Sequence, residues 1–218
     1  MLAALIATAA STTRGLVGRR TSCVMASSSA ARTDVVPIAE WPAKLDNTLV
    51  RALRPDGAAK SPHESRQVMG AHYTLVRPTV PAPLPMLVAC SAEVAEMLGL
   101  DPDDKDFPSF FSGGGLPKQL TCWATAYGAS FTGRYGGQRG DGRAISIGQV
   151  GQLEVQLKGA GTTPFSRGFD GRAVLRSCVR EFLASEAMAA LGVPTTRALC
   201  VVTSGDQVHP RVNSLHFA

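Results

Sequence analysis

The arrangement of apolar and polar positions is clearest in the last third of the 218-residue chain. Residues 144–148 (AISIG) and 153–158 (LEVQLK) read as apolar strands. Only Gln149-Val150-Gly151-Gln152 separates them, which predicts an antiparallel hairpin. Period-two alternation puts Val155 and Leu157 on one face of the second strand and Gln156 and Lys158 on the other. At Asp170 the period becomes helical. Val174, Leu175, Cys178, Val179, Phe182, Leu183, Met188 and Leu191 form a stripe, with Asp170 placed to cap the helix and Gly192 and Pro194 placed to stop it. This predicts a helix near 171–191 packed on a sheet, which residues 197–203 (RALCVVT) extend with another strand. The fold class expected is α+β: an antiparallel sheet with a packed helix.

Upstream the pattern weakens. Residues 34–85 carry prolines at 37, 42, 55, 62, 78, 81, 83 and 85, a spacing that forbids long helices. Residues 49–53 suggest a helical turn and 73–76 a short strand. Ser91 to Leu100 reads as a helix, with Ser91 as cap and Val94, Met97 and Leu98 on one face before Gly99. Residues 107–115 read as a glycine-rich loop, and 123–132 have no assignable period. Three segments follow: 1–33 as an organelle transit peptide or disordered tail, 34–135 as an irregular Pro-rich N-terminal extension with short helices, and 136–218 as the most regular part.

Charge supports that division. The formal net charge is +5, but residues 1–33 hold Arg14, Arg19, Arg20 and Arg32 and no carboxylate, so residues 34–218 are nearly neutral. That and an aromatic content of 6% argue against a nucleic-acid partner. The first 33 residues, rich in Ala, Ser, Thr and Arg, have the composition of a plastid or mitochondrial presequence, with Val24-Met25-Ala26 as a cleavage region. Their apolar start, residues 1–10, is too short to span a bilayer. Cys23, Cys90, Cys122, Cys178 and Cys200 show no paired spacing, and Cys178 and Cys200 fall in apolar patterns expected of core thiols. His63, His72, His209 and His216 are scattered, which argues against a metal cage.

The chemistry concentrates in three places. Residues 136–143 (GGQRGDGR) form a glycine turn, Lys158 ends a strand, and Glu181 lies in the helix beside Val179 and Phe182. A flexible turn, a strand-end lysine and a downstream helical glutamate, in that order, are the parts of a kinase-like small lobe, where the lysine meets ATP phosphates and the glutamate holds it. Each part also has a plain alternative. Gly-Asp-Gly is a common hairpin device, Arg143 can be a solvated turn cation, and Arg176 or Arg180 could partner Glu181. Asp170 could serve only as a helix cap.

The wording of the segment goes further. Residues 137–148 (GQRGDGRAISIG), the run Lys-Gly-Ala-Gly from Lys158, Phe165-Ser166-Arg167, Asp170-Gly171-Arg172-Ala173-Val174-Leu175-Arg176-Ser177 and Pro194-Thr195-Thr196-Arg197-Ala198-Leu199 closely resemble the selenoprotein O family of protein adenylyltransferases. The likeness is strong over 140–205 and looser over 66–139. It implies that residues 136–218 are a truncated protein-kinase-like small lobe that binds ATP in reversed orientation, with Mg²⁺, and transfers AMP to hydroxyl side chains of proteins of unstated identity. By the same resemblance Gly140, Gly142 and Arg143 contact nucleotide, Lys158 binds phosphate, Asp170 and Gly171 form a second contact, and Glu181 supports Lys158. Ser130-Phe131-Thr132 and Arg139 depart from the family's usual wording. The family's catalytic aspartate and metal-binding residues belong to a large lobe with no match here. The expectation is therefore a truncated N-terminal portion, with an inactive nucleotide-binding or regulatory fragment as the alternative.

Overall fold

The computed structural model describes residues 2–9, 34–79 and 83–205. Of the segment 1–33 expected as presequence or tail, residues 1 and 10–33, with the cleavage region and Cys23, lie outside them, as do His209 and His216, while residues 2–9 are described. The described chain is α+β. Strands β1 (Leu2–Ala9), β2 (Tyr73–Leu75), β3 (Met86–Cys90), β4 (Trp123–Thr125), β7 (Ala144–Val150), β8 (Leu153–Lys158) and β9 (Arg197–Thr203) form one antiparallel sheet in the order β2-β4-β7-β8-β1-β9-β3. Strands β5 (Gly128–Phe131) and β6 (Arg134–Gln138) pair separately. The helices are α1 (Thr48–Ala52), α2 (Ala92–Leu98), α3 (Phe107–Phe111) and α4 (Leu175–Ala190), with a 3₁₀ turn at Trp41–Lys44.

The expected hairpin is β7–β8, and all three predicted strands lie in the sheet. β9 does not adjoin β8, because β1 lies between them, pairing Ala4 with Lys158 on one side and Leu2 with Thr203 on the other. The sequence assigned no element to Leu2–Ala9. An eight-residue apolar run without alternation suits a strand flanked on both sides, where period two gives no signal. The sheet also crosses the boundary drawn at residue 135, since β2, β3 and β4 all come from the Pro-rich segment.

The main core packs the Val155 and Leu157 face of β8 with Ile145 and Ile147 against Val94 and Leu98 of α2, and Phe107, Phe110 and Phe111 of α3. Helix α3 takes the first part of the loop expected over 107–115, and residues 112–115 remain a turn. Its three phenylalanines sit at i, i+3 and i+4, one helical face, and Pro108 occupies the first turn, where a missing N–H costs nothing. Trp41 fills the centre of the cluster with its rings edge-on to Phe110 and Phe111 at 5.6 and 5.8 Å. Its Nε1 donates to the Leu98 carbonyl at 2.8 Å, a C-terminal carbonyl of α2. The unassigned stretch 123–132 contains β4 and β5, each too short to show a period.

Helix α4 is shorter than the predicted 171–191 and is barely buried. Gly171 has φ +68°, which a right-handed helix cannot pass through, so the helix starts four residues later with Val174 as N-cap. Among its residues only Cys178 is buried, meeting Ala173 and Val201 with Phe182 beside them. Leu175, Leu183, Met188 and Leu191 of the predicted stripe are exposed. The helical period was legible, but the burial it normally signals is absent here.

Candidate functional site

The hairpin register fixes the first functional side chain. Leu157 is fully buried, so Lys158 must emerge on the opposite face, beside Gln156 and under α4. There Lys158 Nζ donates to Glu181 Oε2 at 2.5 Å, and Arg143 Nη2 stands 3.9 Å from Glu181 Oε1. Both members of the pair are about one-third exposed, so the contact contributes position more than stability. Arg176 and Arg180, the alternative partners, are exposed. Glu181 thus holds two cations at the mouth of one pocket.

That pocket has a volume of 490 Å³. Gly140, Gly142, Arg143, Lys158, Asp170 and Gly171 all line it, and Glu181 stands behind Lys158. The turn and the loop after β8 interlock to form its wall. Gly140 has φ +74°, and a Cβ there would fall 2.3 Å from the Phe165 ring; a Cβ on Gly142 would fall 2.7 Å from the Phe165 carbonyl oxygen. Gly171 is tighter still, 1.9 Å from the Gly161 carbonyl oxygen. These glycines are required by backbone packing. Gly136 to Gln138, assigned to the turn from sequence, belong instead to β6; the turn proper is 139–143.

Hydrogen bonds set the turn. Thr163 Oγ1 donates to the Asp141 carbonyl at 2.6 Å, Ser166 Oγ donates to the Gly142 carbonyl, and Gly159 N donates to the Arg143 carbonyl at 2.6 Å. The loop is held in turn by the Pro-rich segment. Arg66 N donates to the Pro164 carbonyl, Thr79 N to the Ala160 carbonyl, and Gly168 N to Ser65 Oγ. Arg66 itself is fixed by an ion pair with Asp56, which also accepts from Thr74 Oγ1. Sequence reading missed this scaffold because its partners lie far apart in the chain and in a stretch without period.

Asp141 was also missed. Its amide donates to the Thr125 carbonyl and its Oδ2 accepts from Thr125 N, both at 2.9 Å, tying the turn to β4. Burial pushes its carboxyl above the ordinary value, with Glu154 adding to the rise and Thr125 and Lys158 opposing it. A carboxyl raised on folding is ionised first in the unfolded chain, so its contribution is present at low pH and lost as pH rises through the raised value. Asp141→Asn should therefore gain stability relative to the parent as pH rises from the usual aspartate range into the raised range, and keep that gain above it. Urea melts of both proteins across that window check this; a constant difference contradicts it.

Asp170 does not cap α4. Its Oδ1 accepts from Arg172 N at 2.9 Å, a two-residue turn that aims the exposed carboxylate along the pocket rim. The thiols behave as expected of core cysteines: Cys178 and Cys200 are buried, and burial pushes Cys178 up to about 11 and Cys200 well above the usual value. Among the described residues no three His, Cys, Asp or Glu side chains come together as metal ligands. No helix among them is long and apolar enough to cross a membrane.

Fold and site together define a protein with an antiparallel sheet, a strand-end Lys–helix Glu pair and a glycine turn latched to a second loop. Comparison with known proteins carries this to a family. The family described as "Protein adenylyltransferase SelO" matches residues 59–213. The protein nucleotidyltransferase YdiU of Azoarcus sp. (strain BH72) is 52% identical over 175 residues, covering 77% of this chain and 33% of that protein. The YdiU protein of Xanthomonas campestris pv. campestris (strain B100) is 50% identical over 184 residues, covering 77% and 35%, and that of Herminiimonas arsenicoxydans is 53% identical over 149 residues, covering 63% and 29%. The chain belongs to the SelO family of nucleotidyltransferases. It spans about a third of the length of these relatives.

Proposed function

We propose that this chain carries the kinase-like nucleotide lobe of a protein adenylyltransferase, one that takes ATP and passes AMP to hydroxyl side chains of target proteins. The observation that carries the reading is the convergence on one pocket of the six residues inferred from sequence, with Lys158 oriented by Glu181. The donor set suits a triphosphate. Lys158 supplies a point charge, Arg143 a second cation, and the glycine turn lets phosphate oxygens approach backbone that a Cβ would screen. Glu181 keeps Lys158 from collapsing onto another partner before nucleotide arrives. Mg²⁺ is expected to accompany the phosphates, and no ligand for it is assigned among the described residues. The presequence-like N-terminus supports a plastid or mitochondrial location.

The proposal is tested with ATP labelled in the adenine or at the γ-phosphate. This chain should bind both forms alike and transfer neither label, because a nucleotide lobe positions phosphates but does not by itself orient a hydroxyl nucleophile. A longer form carrying the remaining two-thirds of the relatives' length should transfer the adenine label to protein and not the γ-label. AMP transfer by this chain, or γ-label transfer by the longer form, would contradict the reading.

A further inference from the structure

Helix α4 bears Glu181, yet little apolar surface holds it. Its first half meets the sheet through Cys178, with Phe182 alongside; Leu183, Met188 and Leu191 in and after its second half are exposed. What holds the second half is polar. Glu186 is half-buried, and four donors fill both its carboxylate oxygens. Oε1 accepts from Arg197 Nε and from the Ala198 amide, each at 3.0 Å; Oε2 accepts from Arg197 Nη2 at 2.8 Å and from Ser91 Oγ at 2.7 Å. Arg197 Nη2 also donates to Glu93 Oε2 at 2.9 Å. Ser91 is the N-cap of α2, and Arg197 and Ala198 open β9. One carboxylate therefore joins α4, β9 and α2.

Burial pushes the Glu186 carboxyl up, and the hydrogen bonds from Arg197, Ser91 and Ala198 outweigh that and hold it below the usual range. The bidentate contact is of the geometry in which arginine is strongest and most directional. A rigid helix attached at one point can pivot; attached at two, it cannot. Cys178 is the first attachment, Glu186 the second, and Glu181 lies between them.

We propose that the Glu186–Arg197 clamp is the positioning device for the phosphate-binding lysine: it fixes the rotation of α4, and thereby keeps Glu181 on Lys158. Glu186 and Arg197 are positioning residues and touch no nucleotide. The inference rests on the proposed role of Lys158, but it concerns a contact that exists without nucleotide, so it is tested without nucleotide.

The experiment follows the Lys158 side-chain signal by nuclear magnetic resonance in the 218-residue chain labelled in its lysines and free of nucleotide, with Lys158→Arg assigning the signal. Glu181→Gln defines the unpaired state. Glu186→Ala should move the Lys158 signal most of the way to that state although Glu181 is intact, and Arg197→Gln should do the same from the other side of the clamp. In the Glu181→Gln background Glu186→Ala should move it no further. Phe111→Ala, a cavity in α3 away from the clamp, controls for general loosening and should leave the signal in place. In ATP titrations Glu186→Ala should cost about tenfold in affinity alone and less than twofold once Glu181 is gone, the non-additivity of residues acting through one contact. An unmoved Lys158 signal in a folded Glu186 or Arg197 variant, or an equal movement in Phe111→Ala, overturns the clamp. Absence of ATP binding by the parent chain overturns the proposed function instead and leaves the Lys158 signal to decide the clamp.

Discussion

Lys158→Ala is expected to weaken ATP binding by about 10- to 100-fold, the range for losing one charge-assisted hydrogen bond to an anion. Two effects combine. The phosphates lose their strand-borne cation, and Glu181 is left facing the pocket with only Arg143, 3.9 Å away, to offset it. A carboxylate so placed repels the triphosphate that the lysine attracted. Arg176→Ala, which removes an exposed cation from the same helix, should change affinity by less than about twofold, since exposed charges are screened. Isothermal titration of the three proteins with ATP separates the cases. Equal losses in the two variants would mean that general positive charge, not a positioned lysine, binds the nucleotide.

Trp41→Ala should cost about 3–5 kcal/mol of unfolding free energy, the usual range for emptying a large aromatic site. Trp41 is fully buried among Phe107, Phe110 and Phe111, and its indole N–H is the partner of the Leu98 carbonyl. The truncation leaves a cavity and a buried acceptor without its donor. Chemical denaturation monitored by circular dichroism gives the number. A loss under about 1 kcal/mol would show that residues 34–45 pack on α2 and α3 without contributing to stability. Trp41→Phe, which keeps much of the volume and loses the hydrogen bond, should fall between the two.

The parts of the fold legible in the sequence were those with a period long enough to read. The β7–β8 hairpin announced itself, and with it the face on which Lys158 emerges, because Val155 and Leu157 alternate with polar neighbours. Ser91 and Gly99 marked α2 correctly at both ends, through local capping chemistry. Strands of three residues such as β2 and β4 carry no usable period, although 73–76 was placed by its composition. Helix α3 was hidden by the glycines that follow it, and α4 was overestimated because an apolar stripe does not say whether anything covers it. At the site, the order turn–lysine–glutamate was legible since each part sits in its own element. Asp141, Ser166, Arg66 and the Glu186–Arg197 clamp were not, because hydrogen bonding across 11 to about 100 residues leaves no local trace.

Strand β1 has a consequence for the order of assembly. Its backbone pairs residue 4 with 158 and residue 2 with 203, so the middle of the sheet closes only after the most distant parts of the chain have met. Contacts of such separation are slow to form, since the entropy of closing the loop is lost before any pairing rewards it. During synthesis β8 and β9 each present a bare edge until β1 is in place, and an unpaired edge recruits any available strand, including one from another molecule. In the uncleaved chain the yield of folded protein should therefore depend on how fast Leu2–Ala9 docks, and anything that delays it, from a bulky amino-terminal fusion to a slowly released ribosomal partner, would be felt as aggregation.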